Sequence, residues 1–231
     1  AEGTTRVAFQ NGINGYAGTQ DTWINQDSPN ASYGNADRIT VDDDTQNSIF
    51  TDDRGQGLIR FDNLIGTNAV PLGAQVTDAR LRIFVEDDVD FLFDADFDVF
   101  QMTRDWNEGS TWNSLGGGAN DDRGAYLGQF SGDNDPNGDG WRHIDVTSLV
   151  AQWAMGTDNF GFLLLPEIIS GNDDGIELWS SENGIALYRP RLEVSFVLPD
   201  SFWGPTAVAV PTPASATLLA SLLGFSVRRR R

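Results

Sequence analysis

Cysteine is absent from the 231 residues, and histidine occurs once. Without thiols the chain has no disulfide, no thiolate metal site and no cysteine nucleophile. No G-x-S-x-G elbow occurs, so that signature of a serine hydrolase is missing too. Positive charge is scarce: 15 basic residues stand against 34 acidic ones, for a formal charge of -19. Such a surface repels phosphate backbones and excludes nucleic acid as a natural partner. Divalent cations, basic surfaces and neutral glycans suit it better. What is present is enough apolar material for a core: 39% of the residues are hydrophobic, in a length that fits one sizeable β-sandwich or barrel.

Strand patterns dominate residues 1–198. Ala79, Leu81, Ile83 and Val85 alternate with Arg80, Arg82, Phe84 and Glu86, the period-two signal of a half-buried strand. Leu192, Val194, Phe196 and Leu198 repeat it against Arg191, Glu193 and Ser195. Further strands are predicted over 5–10, 38–41, 57–61, 97–102, 142–146, 160–165 and 176–179. Turns rich in Gly, Asn and Asp separate them, among 25 glycines in all. The distribution predicts an all-β, jelly-roll-like antiparallel β-sandwich. One short helix is expected, capped by Thr147, with Leu149, Val150 and Trp153 as its apolar stripe and Gly156 at its end.

The order of several fragments resembles the DNRLRE domain. They are Asp21-Thr22-Trp23-Ile24, Ser28 to Gly34, Leu58-Ile59-Arg60-Phe61-Asp62, Ala79-Arg80-Leu81-Arg82-Ile83, Asp105 to Asn113, Trp141 to Thr147, Asn159-Phe160-Gly161-Phe162 and Arg189-Pro190-Arg191-Leu192. The resemblance implies a β-sandwich related to carbohydrate-binding modules, some of which bind acidic polysaccharides.

Residues 199–213 read as a Pro/Ala linker. Residues 214–231 then form an uncharged Ala/Leu-rich run, predicted as a hydrophobic helix, ended by Arg228, Arg229, Arg230 and Arg231. The run from Ala214 to Val227 covers about 21 Å as a helix, short of the roughly 30 Å hydrocarbon core. The arginines would stay cytoplasmic. Val210, Pro211, Pro213 and Ala214, the apolar run and the Arg cluster together resemble a PEP-CTERM sorting signal, with Thr212 where that family has glutamate. The resemblance implies export, transient inner-membrane anchoring and cleavage by an exosortase-type enzyme. The first residue, Ala1 rather than Met, suits a mature exported form. A cell-surface or extracellular-matrix location is therefore expected.

No catalytic residues stand out. His143 shares a strand face with Trp141 and Asp145, and a structural role is expected for it. Among 34 acids no single pair is marked out for glycoside hydrolysis. For a glycan platform, Trp179, followed by Ser180, Ser181, Glu182 and Asn183, is the leading candidate, with Tyr16 and Tyr33 behind it. Trp106, Trp112 and Trp153 are expected in the core or as loop anchors. Two functions compete: a non-catalytic polysaccharide-binding module, or a structural subunit of a filament, sheath or biofilm matrix. In the second, the first 20 residues or the 199–213 linker would pair with a neighbour's sheet edge.

Asp133, Asp135, Asn137 and Asp139 place oxygen ligands at every second residue, with Gly138 inside the turn. This is the first half of a calcium loop; the position of the bidentate glutamate is Ile144. Remaining ligands would come from Asp121, Asp122, Asp173 or Asp174. Three acids in one short loop repel each other unless a cation sits between them. Thorough EDTA treatment should therefore lower the melting temperature by several degrees, and an unchanged melting curve would remove calcium from the picture.

Overall fold

The computed structural model describes residues 3–44, 53–67, 69–88, 96–132, 140–166 and 175–198, without the side chains of 43, 44, 53, 87 and 88. Among the described residues there are eleven strands: β1 Thr5–Gln10, β2 Thr19–Asn25, β3 Arg38–Asp44, β4 Asp53–Phe61, β5 Gln75–Asp88, β6 Asp96–Met102, β7 Arg123–Ser131, β8 Gly140–Asp145, β9 Phe162–Pro166, β10 Gly175–Trp179 and β11 Arg191–Val197. All named pairings are antiparallel, in the order β1-β11-β5-β10-β3-β4-β9-β6-β7, with β2 on β4 and β8 on β5. The all-β sandwich expected from the alternation is what forms.

The main core gathers the inward phase of each strand. Ala79, Leu81, Ile83 and Val85 of β5 meet Leu192, Val194 and Phe196 of β11 and Ile39 and Val41 of β3, along with Phe97, Phe162 and Leu164. One helix, α1 (Thr147–Ala154), closes this core with Leu149, Val150 and Trp153. Its start differs from the expectation. The Thr147 hydroxyl bonds the β5 backbone at Ala79 (2.9 Å), and Asp145 Oδ1 accepts the Thr147 N–H (2.9 Å) in the capping role. Gly156, at φ +98°, follows the last turn as predicted.

A second core lies on the opposite face of β4, β9 and β6. There Leu58, Met102, Leu163 and Leu165 pack beneath Trp106, Trp112 and Leu115 from the long connection after β6. Strands covered on both sides lose their alternation, which is why β9 reads as an unbroken Phe-Leu-Leu-Leu. Arg60 pins that connection down. It bonds Asp62 (2.8 Å), Asp105 (3.0 Å), the Trp106 carbonyl (2.8 Å) and Gln20 (2.8 Å), and its guanidinium lies 5.2 Å from the Trp106 ring centre.

Two strands escaped the sequence pattern. β2 is too heavily buried to alternate cleanly. β7 carries two glycines and breaks register against β6 twice, at Val99/Phe100 and Phe100/Met102.

The strands also bear on the expected calcium loop, which itself lies outside the described residues, as do 167–174 and the whole of 199–231. β7 leads into the loop and β8 leaves it, and the pairs Asp96↔Ser131, Phe97↔Pro166, Val85↔Gly140 and Gly175↔Asp42 end at that same edge. Asp121 and Asp122 stand at the opposite end of β7, about 27 Å away along nine extended residues, and are out of a seven-residue loop's reach. The segment holding Asp173 and Asp174 begins and ends at the right edge.

Gly161 shows how tightly β9 enters the fold. It sits at φ +81°, and a Cβ there would lie 2.2 Å from the Ile59 carbonyl oxygen. Gly161→Ala should cost about 3 kcal/mol or more through strain and overpacking combined, read as a fall in the chemical denaturation midpoint.

Candidate functional site

The chain has no lysine, so every cationic side chain before the terminal arginines is one of eleven guanidiniums. Five of them, Arg6, Arg38, Arg80, Arg82 and Arg191, stand on the outward phase of β1, β3, β5 and β11, where alternation directs them away from the core. Glu193 of β11 organises three of these arginines. It is only 4% exposed although it lies on the outer face, because Arg6, Arg82 (3.0 Å) and Arg191 (2.9 Å) close over its carboxylate. Burial pushes this carboxyl up, but hydrogen bonds from Arg82 and Arg6 and the charge of Arg191 outweigh it and hold the group below the usual glutamate range. Arg38 is held in the same manner by Glu86 and Glu177 (3.0 Å).

Beside these arginines lies an aromatic cluster. Phe84 occupies an outward position of β5 directly opposite Trp141 of β8, with ring centres 5.4 Å apart at 85°. Trp179 of β10 approaches Phe84 at 5.8 Å, and Tyr188 lies over it at 4.4 Å. Arg82 sits 4.9 Å above the Trp141 ring. Tyr188 is 36% exposed, its neighbours Ile185 and Leu187 more so, while Phe84, Trp141 and Trp179 are half-buried. The result is a shallow aromatic shelf bordered by fixed guanidiniums. Such a surface offers ring faces to C–H groups and directional donors to hydroxyl or carboxylate oxygens.

Of the three aromatics singled out from sequence, the structure brings only Trp179 to this shelf. Its indole N–H is buried without an acceptor among the described residues, so it offers the shelf a ring rather than a donor. Tyr16 packs edge-on against Phe9 (5.3 Å) and donates its hydroxyl to the Asp62 carbonyl (2.9 Å). Tyr33 stacks on Trp23, with ring centres 3.9 Å apart. Ser180, Ser181 and Asn183 are buried and hold the turn after β10, rather than flanking Trp179 as free hydrogen-bonders. Trp106, Trp112 and Trp153 are core residues. His143 faces Arg82 across the strands, and Asp145 bonds Thr147. Desolvation, then the charges of Arg82 and Arg80, lower the His143 pKa. Phe84, Trp141 and Tyr188 went unselected in the sequence, although Phe84 carried a signal: it is the one apolar residue on the polar phase of β5.

A second polar feature lies at the base of β2. Asp21, 1% exposed, accepts the Ser181 N–H (2.8 Å), and the Ser181 hydroxyl donates to Glu182 (2.8 Å). Two carboxylates thus converge on one serine, and no salt bridge reaches either among the described residues. Burial, then the neighbouring Glu182 charge, push the Asp21 carboxyl well above its usual value. No group of three His, Asp or Glu side chains suited to a metal ion occurs among the described residues. No described helix is long and apolar enough to cross a membrane.

The fold is that of an antiparallel β-sandwich module. The chain belongs to carbohydrate-binding module family 96, whose model matches residues 14–196, from the turn before β2 into the last residues of β11. No curated protein matches the chain.

The Asp21 carboxyl sets a pH dependence. A carboxyl whose pKa rises on folding opposes the fold once pH climbs above its unfolded value, near 4, and stops doing so as pH falls below that value. Asp21→Asn keeps an oxygen for the Ser181 N–H and removes the charge. The variant should melt roughly 2–4 °C higher than the parent at pH 7, with the gain disappearing by about pH 4 in a calorimetric series.

Proposed function

We propose that the outer face carrying Phe84, Trp141, Trp179 and Tyr188 is a non-catalytic polysaccharide-binding surface. The observation that carries this reading is the joining of four aromatic rings with ordered arginines on the solvent side of a rigid sheet, in a chain of a carbohydrate-binding family. A flexible surface would lose affinity to side-chain ordering. Here Glu193 and Glu86 hold Arg82 and Arg38 before any ligand arrives. A sugar ring laid on Tyr188 and Trp141 would present its axial C–H groups to their faces. Its oxygens would meet the guanidinium edges, and the face tolerates both neutral and carboxylated sugars because its own arginines and acids nearly balance.

The supporting frame of this reading extends to the segments outside the described residues. Asp133, Asp135, Asn137 and Asp139 hold a structural calcium with help from the 173–174 side of the same sheet edge. Val210 to Ala214 and the terminal arginines serve as the exosortase-type sorting signal that brings the module to the cell surface or matrix.

Trp141→Ala and Tyr188→Ala should each weaken polysaccharide binding about 10- to 100-fold, corresponding to roughly 1.4–2.7 kcal/mol, without shifting the far-ultraviolet spectrum. Affinity electrophoresis in gels containing a neutral glucan or a polyuronate reads this directly. Arg82→Ala should reduce retardation in the polyuronate gel more than in the glucan gel. Retardation by both polymers that survives the aromatic substitutions would place the sugar elsewhere.

A further inference from the structure

Among the described residues, β1 has a strand partner on one side only. Its six residues pair without a break against β11, from Thr5↔Phe196 to Gln10↔Arg191. Among the described residues no backbone hydrogen bond reaches Thr5 to Phe9 from the other side, and only the Gln10 carbonyl is engaged, by the Ile13 N–H (3.0 Å). A groove of about 500 Å3 runs along this free edge, lined by Arg6, Val7, Ala8 and Phe9 on the strand and by Asn14, Gly15 and Tyr16 opposite. A row of open N–H and C=O groups is a template for another strand. β1 has neither proline nor bulge to blunt it, carries no acid in an otherwise acidic protein, and lies ahead of the segment that the family model matches.

We propose that β1 pairs antiparallel with β1 of a second copy, with Val7 opposite Val7, so that two sheets join across a two-fold axis. Free of acids, proline and bulges, the edge can meet its own copy along its full length, and charge selects the register. Residues directly opposite in a sheet share a face, so Arg6 must meet another outward residue of the second copy: Arg6, Ala8 or Gln10. Arg6 against Arg6 sets like charges side by side. Arg6 against Gln10 brings it toward Arg191, the β11 partner of Gln10. With Val7 on Val7, Arg6 instead faces Ala8 of the second copy, whose own β11 partner is Glu193. The small, uncharged alanine sets neither bulk nor like charge against Arg6, whose guanidinium stays on Glu193 of its own subunit, and symmetry repeats the contact. On the inner face Val7 meets Val7 and Thr5 meets Phe9. Only one register satisfies both faces.

A pairing of this length covers less than the roughly 800 Å2 per partner of a standard stable interface, so the dimer belongs to the weak, concentration-dependent class. Because opposite residues share a face, the two outer faces point to the same side. Two aromatic shelves on one side would engage one polymer with avidity; that consequence rests on the sugar reading, whereas the pairing does not.

The full chain should show a reversible monomer–dimer equilibrium in sedimentation velocity between about 5 and 500 µM. Ala8→Lys sets an ammonium opposite Arg6 in both rows of the dimer, while within its own subunit it faces Glu193. It should raise the dimer dissociation constant at least tenfold, with the melting curve and the affinity for a short oligosaccharide unchanged. Because the protein has no cysteine, a single Val7→Cys variant reports the register. Directly opposite Cα atoms lie within disulfide range, so it should cross-link under mild oxidation far faster than Leu72→Cys, a control at a 62% exposed site. A parent that stays monomeric throughout, an Ala8→Lys protein that dimerises like the parent, or a Val7→Cys protein that cross-links no faster than the control would each overturn the pairing.

Discussion

The outer face depends on one buried acid. Glu193 sits where alternation would leave it in water, yet three arginines from three adjacent strands close over it. An uncompensated carboxylate at that depth would cost several kcal/mol, so the arginines are held in place as firmly as they hold it. Their order has a reach beyond the pair. Arg82 is also the residue that lies on Trp141, and Arg6 is the one charge on the free edge of β1. A single cross-strand cluster therefore sets the border of the aromatic shelf and the electrostatics of the sheet edge.

Covering both faces of β4 and β9 has a different role. It anchors the long connection after β6 through Arg60 and Trp106, and this leaves the solvent-facing shelf entirely to the β8-β5-β10 side. The aromatic shelf and the second core thus lie on different faces of the fold. The shelf can lose an aromatic without opening the core, because Phe84, Trp141 and Tyr188 belong to neither buried cluster.

Alternation in β5 and β11 was legible because each of these strands has one wet face and one dry face. β9 and β2 were harder to read, since burial on both sides erases the period that reveals a strand. β7 was invisible for another reason: glycines and register breaks leave its pattern without a phase. The helix was legible through its stripe and its terminal glycine, but not through its cap, because Thr147 spends its hydroxyl on a strand 68 residues earlier. At the site, Trp179 was found by its polar followers, although those followers turned inward to hold a turn. Tyr16 and Tyr33 looked equally good as isolated aromatics, and their partners Phe9 and Trp23 make each of them part of a local packing pair.

By itself the sequence determined the class of fold, the inward phase of its clearest strands, the acidic surface, the absence of thiol chemistry and the order of the family's fragments. These properties follow from composition and from periods of a few residues, which need no knowledge of what a strand lies against. The tertiary structure decided which residues stand together: Phe84 beside Trp141, Tyr188 over Phe84, Arg82 between Trp141 and Glu193, and β1 left with a free edge. Strands far apart in the chain supply those neighbours, and pairing register sets their faces. A one-residue slip of β8 against β5 would carry Trp141 to the other side of the sheet, and no local pattern records the register that keeps it beside Phe84.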